Sequence, residues 1–423
     1  MRITYLHQYF NTPAMPGSTR SYEMARRLVA AGHDVQMVTS DKSGQTPEGQ
    51  WRTTEEAGIE VHWLGCRYDN TMSIARRLRA FAAFGFHATK RSRSLAADVV
   101  FSTSTPLTIG VPGVLAAQRR DVPHVFEVRD WWPAVPAAMG ALQGPGQLRA
   151  AIALEKWIYR RSEQIVALAP GMRDGVISRG FDADRTSVIP NSCDFDLFDV
   201  GPEPGLAFRE RHGFGDRPII AYTGTLGRVN NIEYLVDVAA AMKSRDPDTC
   251  FVIVGGGSQE PIVRERAAAA GVLDRSVFLL PPVHKGDLPA VNSAATFCSS
   301  FVSDIPILAD NCANKFFDSL AATRPMIVNH GGWLGGLIED ERIGLRLPNA
   351  DAEAAAEQIA AVAHDRAWTD AAGRRAYALG RREFCRDLLA QKLEAVLCKA
   401  AGVSQTIPMP SLATPAASMR KAA

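Results

Sequence analysis

The sequence predicts an α/β protein in which two doubly wound domains face each other across a cleft. Three observations lead to this prediction. Short apolar runs alternate with amphipathic helical patterns along most of the chain, and repeated strand–helix–strand units form parallel sheets that helices cover on both faces. The pattern restarts after residues 201–217, a segment rich in Gly and Pro that is typical of a linker and entry loop. The chain of 423 residues is long enough for two domains of about 200 residues each.

Eleven short apolar runs are the strand candidates, six before the linker and five after it. The helix predicted between the first two strands begins at a cap formed by Ser18 or Thr19 and ends at Gly32. Residues 351–400 show helical patterns only, and residues 403–423, rich in Ala, Ser, Thr and Pro, are predicted to be disordered. The predicted strands are residues 3–6, 35–38, 99–102, 124–128, 164–167, 187–189, 219–222, 251–254, 277–280, 295–298 and 326–329.

The composition is typical of a soluble globular protein, with 46% apolar and 22% charged residues and a net charge of +2. That charge balance gives no support for a nucleic-acid partner. The seven cysteines form no C-x-x-C pair, so we expect neither a zinc site nor a disulfide framework and favour a reducing cytoplasm. No apolar run approaches the roughly 18–20 residues of a membrane-spanning helix. The first residues lack the long apolar stretch of a signal peptide.

The loops that follow strands are the candidate site, because open α/β sheets bind ligands at the carboxyl ends of their strands. Gly17 lies in such a loop just before a helix, where its backbone can approach an anion, although a plain connection is the alternative. Gly224, Thr225 and Arg228 form a second loop suited to a phosphate. The glycines at 255–257 lack G-x-G-x-x-G spacing and a ribose-binding acid about 20 residues on, which disfavours a dehydrogenase.

Glu127, Arg129, Asp130, Trp131 and Trp132 close another predicted strand. Two carboxylates and an arginine beside two large aromatic rings are costly to bury without a partner or a ligand. The sequence leaves two interpretations open: a functional cluster, or a buried ion pair under an aromatic cap.

The densest group of polar residues lies between Asp310 and Ala322. Residues 314–322 are predicted to be helical, and Lys315 lies near the helix start, where an ammonium and the helix dipole together favour phosphate. Asp318, three residues on, lies on the same side of the helix, and its carboxylate can accept hydrogen bonds from both hydroxyls of a ribose. The glycine-rich loop 331–336 follows the next strand and is expected beside this group. The alternative is a solvated helix face.

Residues 74–93 form a basic stretch with no acids and with phenylalanines at 81, 84 and 86. A basic, aromatic amphipathic helix binds well to an anionic membrane surface. The alternative is a core helix with basic ends. The six basic residues are Arg76, Arg77, Arg79, Lys90, Arg91 and Arg93.

Five stretches together resemble the family 4 retaining glycosyltransferases of the GT-B fold. Within them, the chain is similar to the bacterial surface-polysaccharide branch that includes N-acetyl-L-fucosamine transferases of O-antigen synthesis. The resemblance implies an acceptor-binding Rossmann-like domain at 1–200, a nucleotide-sugar donor domain at 201–380, and a helix at 381–402 that returns to the first domain. It extends from residue 1 to about residue 400 and is carried by residues 5–13, 126–130, 189–194, 222–227 and 314–318.

The resemblance also implies roles for single residues. Asp310 and Asp318 take the places of a Glu-x7-Glu motif, so Asp310 approaches the donor sugar and Asp318 the ribose. Lys315, beside Asn314, contacts the diphosphate. Both acids of the pair are aspartates here, one methylene shorter than glutamate, which changes their reach.

Other positions follow from the same resemblance. Gly17 lets its backbone meet the donor phosphates or the acceptor, and Gly224 lies in the donor-binding loop. Arg129 and Asp130 occupy the region where many relatives place a catalytic-cleft histidine. Relatives often carry an Arg and a Lys five residues apart in the loop after the second domain's first strand; Thr225 and Asn230 stand there instead, with Arg228 between them as a substitute.

The implied reaction retains the anomeric configuration through front-face attack, with the donor phosphate helping to deprotonate the acceptor. It needs no metal or other cofactor. The implied partners are a UDP-linked donor, a polyprenyl-diphosphate-linked acceptor and the anionic inner face of the plasma membrane, reached from the cytoplasm. Two rivals stay open: a nucleotide-sugar epimerase of the same fold, and a nucleotide-sugar-binding partner without catalysis.

Overall fold

The computed structural model describes residues 1–15, 17–66, 72, 74–140, 142 and 144–405. At positions 74, 75, 77 and 78 the description covers the helix backbone only. Of the tail predicted to be disordered, residues 406–423 lie outside the described residues.

The strands before the linker form one eight-stranded sheet within the described residues, in the order β3-β4-β2-β1-β5-β6-β7-β8. Every neighbouring pair is parallel except β3 and β4. The six predicted strands are confirmed. The strands are β1 (Arg2–Leu6), β2 (Asp34–Asp41), β3 (Trp51–Glu56), β4 (Ile59–Gly65), β5 (Val99–Thr103), β6 (His124–Val128), β7 (Gln164–Ala167) and β8 (Thr186–Val188).

In the described part of the chain, the second sheet has six parallel strands in the order β11-β10-β9-β12-β13-β14. Four of its five predicted strands lie where the sequence placed them. The strand expected at 295–298 begins two residues later. The strands are β9 (Ile219–Thr223), β10 (Cys250–Val254), β11 (Val277–Leu280), β12 (Phe297–Ser300), β13 (Met326–Val328) and β14 (Gly344–Arg346).

Helices cover both faces of each sheet, as doubly wound domains require. Apart from short 3₁₀ turns, the helices of the described residues are α1 (Arg20–Ala30), α2 (Ile74–Ser94), α3 (Gly110–Arg120), α4 (Ala134–Ala138), α5 (Pro145–Tyr159), α6 (Pro170–Ser178), α7 (Phe195–Phe198), α8 (Glu203–His212), α9 (Ile232–Met242), α10 (Glu260–Ala269), α11 (Leu288–Ala294), α12 (Asn314–Ala321), α13 (Gly332–Asp340), α14 (Ala352–Ala360), α15 (Arg366–Glu383) and α16 (Arg386–Ala401).

The prediction of a linker and entry loop at 201–217 is wrong for most of that segment. It contains α8, whose first turn holds Pro204 and whose carboxyl end is capped by Gly213 at a φ of +68°. Proline is tolerated in the first turn of a helix because the amide that it lacks has no intrahelical partner there. Glycine readily adopts the left-handed conformation of a carboxyl cap. The residues that suggested a break therefore mark the two ends of a helix.

The carboxyl-terminal helix α16 packs on the first sheet although it follows the second domain in the chain. Leu389, Leu393 and Leu397 are fully buried in one cluster with Ile3 and Val35 of β1 and β2. Burying side chains of this size stabilises the contact by about 1.5–3 kcal/mol each. Consequently the chain crosses between the two sheets twice.

Residues 191–194, next to the cleft, bond to segments that follow later in the chain. The Asn191 side chain donates to the carbonyl of Cys312 at 2.7 Å, and the Cys193 amide donates to the carbonyl of Phe384 at 2.8 Å. Arg386, at the start of α16, contacts Asp194 at 2.8 Å. The first of these bonds joins the second domain to the first, and the other two hold the residues around the start of α16 on the first domain.

The basic helix α2 is partly a core element. Phe84 is buried in the first-domain core, whereas Phe86 is 70% exposed. Arg76, Arg79 and Lys90 are also exposed. No helix within the described residues has both the length and the apolar character that crossing a membrane requires.

Candidate functional site

A cavity of about 660 Å³ lies between the carboxyl ends of the strands of the two sheets. The first domain contributes the turn at Gly17 and the start of α1 to its lining. The second domain contributes the loops after β9, β10 and β11 and the start of α12. This is where an open α/β sheet binds a ligand. A smaller cavity of about 280 Å³ adjoins it and shares Asn191 and Asn314 with it.

The turn at Gly17 has a backbone conformation that favours glycine. Its φ is +123°, and a Cβ added there would lie 2.8 Å from Nδ2 of Asn11. The next residues, Thr19 and Arg20, line the large cavity. The sequence prediction of a close backbone approach at this loop is therefore compatible with the geometry.

Glu127, at the end of β6, forms a buried ion pair with Arg20. Oε1 of Glu127 lies 2.8 Å from Nη2 of Arg20, and Arg20 also donates to the carbonyl of Ile189 at 2.8 Å. Burial alone would raise the pKa of Glu127, but the charges of Arg20 and Arg129 outweigh it and lower that pKa. The buried ion pair was one of the two interpretations left open, and for Glu127 it is the one the contacts support.

Arg129 and Asp130 line the smaller cavity. The Arg129 guanidinium donates to Nε2 of His7 at 3.3 Å and to Oγ of Ser18 at 3.4 Å. Asp130 accepts a hydrogen bond from the Thr105 hydroxyl. Burial and the charge of Arg129 hold the pKa of His7 well below its usual range. His7 is therefore a neutral hydrogen-bonding group at neutral pH.

The loop after β9 reaches the large cavity through Gly224 and Thr225. Gly224 has a φ of +136°, and a Cβ there would lie 3.2 Å from Nζ of Lys315. The carbonyl of Thr225 accepts from Oη of Tyr222 and from Nδ2 of Asn230, each at 2.8 Å. Arg228, which was predicted to supply charge here, is exposed and does not line the cavity.

Lys315 and Asp318 lie on one face of α12, as the sequence predicted, and both line the large cavity. Nζ of Lys315 lies 3.8 Å from the centroid of the Tyr222 ring, a cation–π contact. Burial lowers the pKa of Lys315 to about 7, against the opposing effect of Asp318. Burial and the charge of Asp194 raise the pKa of Asp318 to about 7, against the opposing effect of Lys285. Neither side chain belongs to a solvated helix face.

Asp310 does not join this group. It ends a 3₁₀ turn, and its carboxylate lies against Gly171 in α6, so that a Cβ on Gly171 would meet Oδ2 of Asp310 at 2.0 Å. Burial and the nearby charge of Asp174 raise the pKa of Asp310. Asp310 lines neither cavity, although its neighbour Asn311 lines both. The spacing of eight residues therefore separates the two acids instead of pairing them.

The sequence analysis missed four charged residues at the large cavity, the first of which is Arg20 at the start of α1. Lys285 and Arg386 line it, and Asp194 contacts both of them. Lys285 follows β11, so the rule that selected the other strand-end loops would also have selected it. Arg386 begins a helix with no strand before it, and no pattern in the sequence connects it with residue 194.

One group of side chains among the described residues could hold a metal ion. Ligand atoms of His33, Glu394 and Cys398 lie within 4.8 Å of one another, where α16 packs on the first domain. Nε2 of His33 already bonds Glu394 at 3.0 Å, and its Nδ1 lies 3.3 Å from the amino group of Met1. None of the three lines the large cavity. These contacts fit a buried hydrogen-bonded pair better than a metal centre.

Two family models match the chain, one on each side of residue 200. Residues 17–192 match the model described as Glycosyl transferase 4-like domain, and residues 217–365 match the model described as Glycosyl transferases group 1. The chain belongs to the family 4 glycosyltransferases of the GT-B fold. The cavity of this glycosyltransferase lies between two facing Rossmann-like sheets, as expected from the sequence.

Curated relatives of the glycosyltransferase match only part of its length. It is 24% identical over 196 residues to the alpha-D-kanosaminyltransferase of Streptomyces kanamyceticus, which covers 46% of this chain and 49% of the relative. It is 25% identical over 275 residues to the putative colanic acid biosynthesis glycosyl transferase WcaI of Escherichia coli (strain K12), which covers 61% of this chain and 66% of the relative. The chain thus spans about half the length of the first of these relatives.

Solved structures match the glycosyltransferase over nearly its whole length. Anabaena Alr3699/HepE in complex with UDP-glucose superimposes with a TM-score of 0.73 at 17% identity, covering 94% of this chain and all of that one. At this level of identity the likeness shows the GT-B fold.

Proposed function

We propose that this glycosyltransferase is a retaining enzyme that moves a sugar from a nucleotide-sugar donor, UDP-linked, to a lipid-linked saccharide in surface polysaccharide synthesis. The observation that carries the proposal is the charge of the large cavity. Among the described residues its lining holds four cationic side chains and one carboxylate, that of Asp318. Arg20 and Arg386 are each paired with a carboxylate behind the lining, so the two lysines are the cations that can attract a diphosphate. The four cations are Arg20, Lys285, Lys315 and Arg386.

The donor is placed by the loops of the second domain. Lys315 meets the diphosphate close to the glycine backbone at Gly224, where the lack of a side chain leaves room for phosphate oxygens. The Asp318 carboxylate accepts hydrogen bonds from the ribose hydroxyls, and Asn314 lies beside them at the start of α12. The structure of Alr3699/HepE with UDP-glucose supports a UDP-sugar as the donor.

The acceptor occupies the smaller cavity, where Arg129 and Asp130 orient it. In the proposed front-face reaction the bond between the anomeric carbon and the diphosphate oxygen breaks. The acceptor hydroxyl oxygen bonds to the same face of that carbon, and its proton passes to the departing diphosphate. Negative charge accumulates on the diphosphate, where Lys315 stabilises it. No step in this scheme requires a residue outside the two cavities.

A surface-polysaccharide role is supported by two further observations. The relative WcaI is described as a putative colanic acid biosynthesis glycosyl transferase. The exposed Arg76, Arg79 and Lys90 and the 70% exposed Phe86 lie on α2 in the first domain, where a lipid-linked acceptor would arrive.

The test of the proposed function is a screen of nucleotide sugars by thermal unfolding, because a ligand that binds the native state raises its melting temperature. UDP-sugars are expected to stabilise the protein most, and product formation is then measured with polyprenyl-diphosphate-linked saccharides. Conversion of a nucleotide sugar without any acceptor would instead establish an epimerase. Binding without turnover on any acceptor would establish a non-catalytic partner.

Reversing two charges on α2 is expected to weaken membrane binding. In the Arg76→Glu/Arg79→Glu variant, sedimentation with anionic vesicles at low salt should drop sharply, because each basic residue near anionic lipid contributes about 1 kcal/mol. High salt should abolish the binding of the parent protein by screening. Arg119→Glu/Arg120→Glu is the matched control, since these exposed arginines lie on α3. Equal sedimentation of both variants would exclude α2 as the docking element.

A further inference from the structure

Lys285 connects the second domain to the first across the large cavity. It follows β11, in a short 3₁₀ turn, and its side chain is only 20% exposed. Its Nζ donates to Oγ1 of Thr19 at 3.0 Å and lies 3.4 Å from Oδ2 of Asp194. Thr19 directly precedes α1, next to the turn at Gly17.

Asp194 does not need Lys285 to balance its charge. Arg386 contacts the other oxygen of the same carboxylate at 2.8 Å, which is a shorter distance than the 3.4 Å to Lys285. Arg386 also lies 3.4 Å from Glu23 and is largely buried. Lys285 is therefore the more weakly bound cation of this group and the one that a new anion can attract.

The loop after β9 contributes no charged side chain to the cavity, so a bound diphosphate must be neutralised by cations from other loops. Thr225 and Asn230 are uncharged and line the cavity, whereas Arg228 is exposed and lies outside the lining. Of the described residues, Lys285 and Lys315 are the two lysines of the lining, one beside Thr19 and the other beside Gly224. A diphosphate carries more charge than one ammonium neutralises.

We propose that Lys285 binds the donor diphosphate together with Lys315. On binding, its ammonium exchanges the hydroxyl of Thr19 and the carboxylate of Asp194 for phosphate oxygens, while Arg386 stays with Asp194. The inference rests on the proposed function, because it assigns a ligand contact within the same donor site.

The experiment compares the affinity of nucleoside diphosphates and of the matching nucleosides by calorimetry, using UDP, GDP, uridine and guanosine. One of the two diphosphates is expected to bind the parent. Lys285→Met should lower the affinity for that diphosphate by roughly tenfold or more, because a hydrogen bond to a charged group is lost. The affinity of the matching nucleoside should stay within about twofold, since it carries no phosphate. Lys285→Arg should restore most of the diphosphate affinity.

Arg228→Met is the matched control, because it removes the same charge from a side chain outside the cavity lining. Thermal unfolding confirms that each variant is folded, and Lys285→Gln takes the place of Lys285→Met if the latter does not fold. An unchanged diphosphate affinity in the Lys285 variants would overturn the inference and leave the proposed function intact. An equal loss for the nucleoside would also overturn it, showing that Lys285 positions the loop. A parent that binds neither diphosphate would overturn the proposed function, and the inference with it.

Discussion

Replacing Lys315 with alanine is expected to lower kcat by about 100- to 1,000-fold, or roughly 2.7–4 kcal/mol of transition-state stabilisation. Negative charge builds on the departing diphosphate, and Lys315 is held in place over the Tyr222 ring to stabilise it. The fold should tolerate the change, because a buried ammonium whose pKa is lowered to about 7 contributes little to stability. Steady-state turnover and thermal unfolding, measured on the same preparation, check both parts.

The pH dependence of kcat/KM distinguishes the effect of the Lys315 charge from the effect of its side-chain volume. Its ammonium is protonated below a pKa of about 7 in the free enzyme, so kcat/KM should fall as pH rises above that value. Asp318, also with a pKa of about 7, should produce an opposing fall on the acid side as it takes up a proton. Lys315→Met keeps most of the length of the side chain without its charge and should abolish the alkaline fall. Activity within threefold of the parent in a folded Lys315→Ala protein would contradict the assignment.

Replacing Asp318 with asparagine is expected to weaken the binding of the free nucleoside diphosphate by roughly 10- to 100-fold, because hydrogen bonds to a charged group contribute about 1.5–3 kcal/mol. The carboxylate can accept both ribose hydroxyls, whereas the amide offers one acceptor oxygen. Calorimetric titration with UDP measures the effect. Asp310→Asn is the control, since Asp310 lines neither cavity, and its UDP affinity should equal that of the parent.

Stability gives a second readout for Asp318. The pKa of its carboxyl rises from an ordinary value of 3.8 to about 7 in the folded protein, so the native state binds this proton more tightly than the unfolded chain. The contribution of Asp318 to the free energy of unfolding therefore falls as pH rises between about 4 and 7. Asp318→Asn should remove that slope and leave the protein at least as stable at pH 8. Unchanged UDP affinity in this variant would contradict the ribose assignment.

The sequence predicted those parts of the molecule that depend on local pattern. Alternating strands and helices identified two doubly wound sheets. The rule that ligands bind at strand ends selected Gly17, Gly224 and Thr225, and helical periodicity put Lys315 and Asp318 on one face. Each of these inferences uses patterns of residues that are near one another in the sequence.

Three strands were missed, β3, β4 and β14. The signal is weak for β3 and β14, whereas β4 is a largely apolar and buried run that the pattern could have identified. The hairpin of β3 and β4 includes a strand of mixed polar and charged residues at 51–56, only partly buried, so it has no apolar run. Its turn at Ala57 and Gly58 has positive φ at both residues, as a two-residue hairpin turn favours. The last strand, β14, is three residues long and lies at the edge of its sheet.

The sequence assigned some residues to the site wrongly and missed others, because tertiary contacts decide which side chains reach the cavity. Arg228 and Asp310 have the expected residue types at the expected spacing, yet one is exposed and the other lies against Gly171. Arg386 and Asp194 are separated by nearly two hundred positions and meet only because α16 returns to the first sheet. The spacing of residues along the sequence carries no information about such tertiary contacts.

The return of α16 has a consequence for building hybrid enzymes with exchanged donor specificity. A chimaera spliced once, near residue 200, would take α16 from the incoming parent. The leucines at 389, 393 and 397 would then have to fit a first-domain surface that they did not evolve with. Two junctions, near residues 200 and 385, keep both this interface and the contact of Arg386 with Asp194 within one parent. The exchangeable module is therefore an internal segment and not a carboxyl-terminal half.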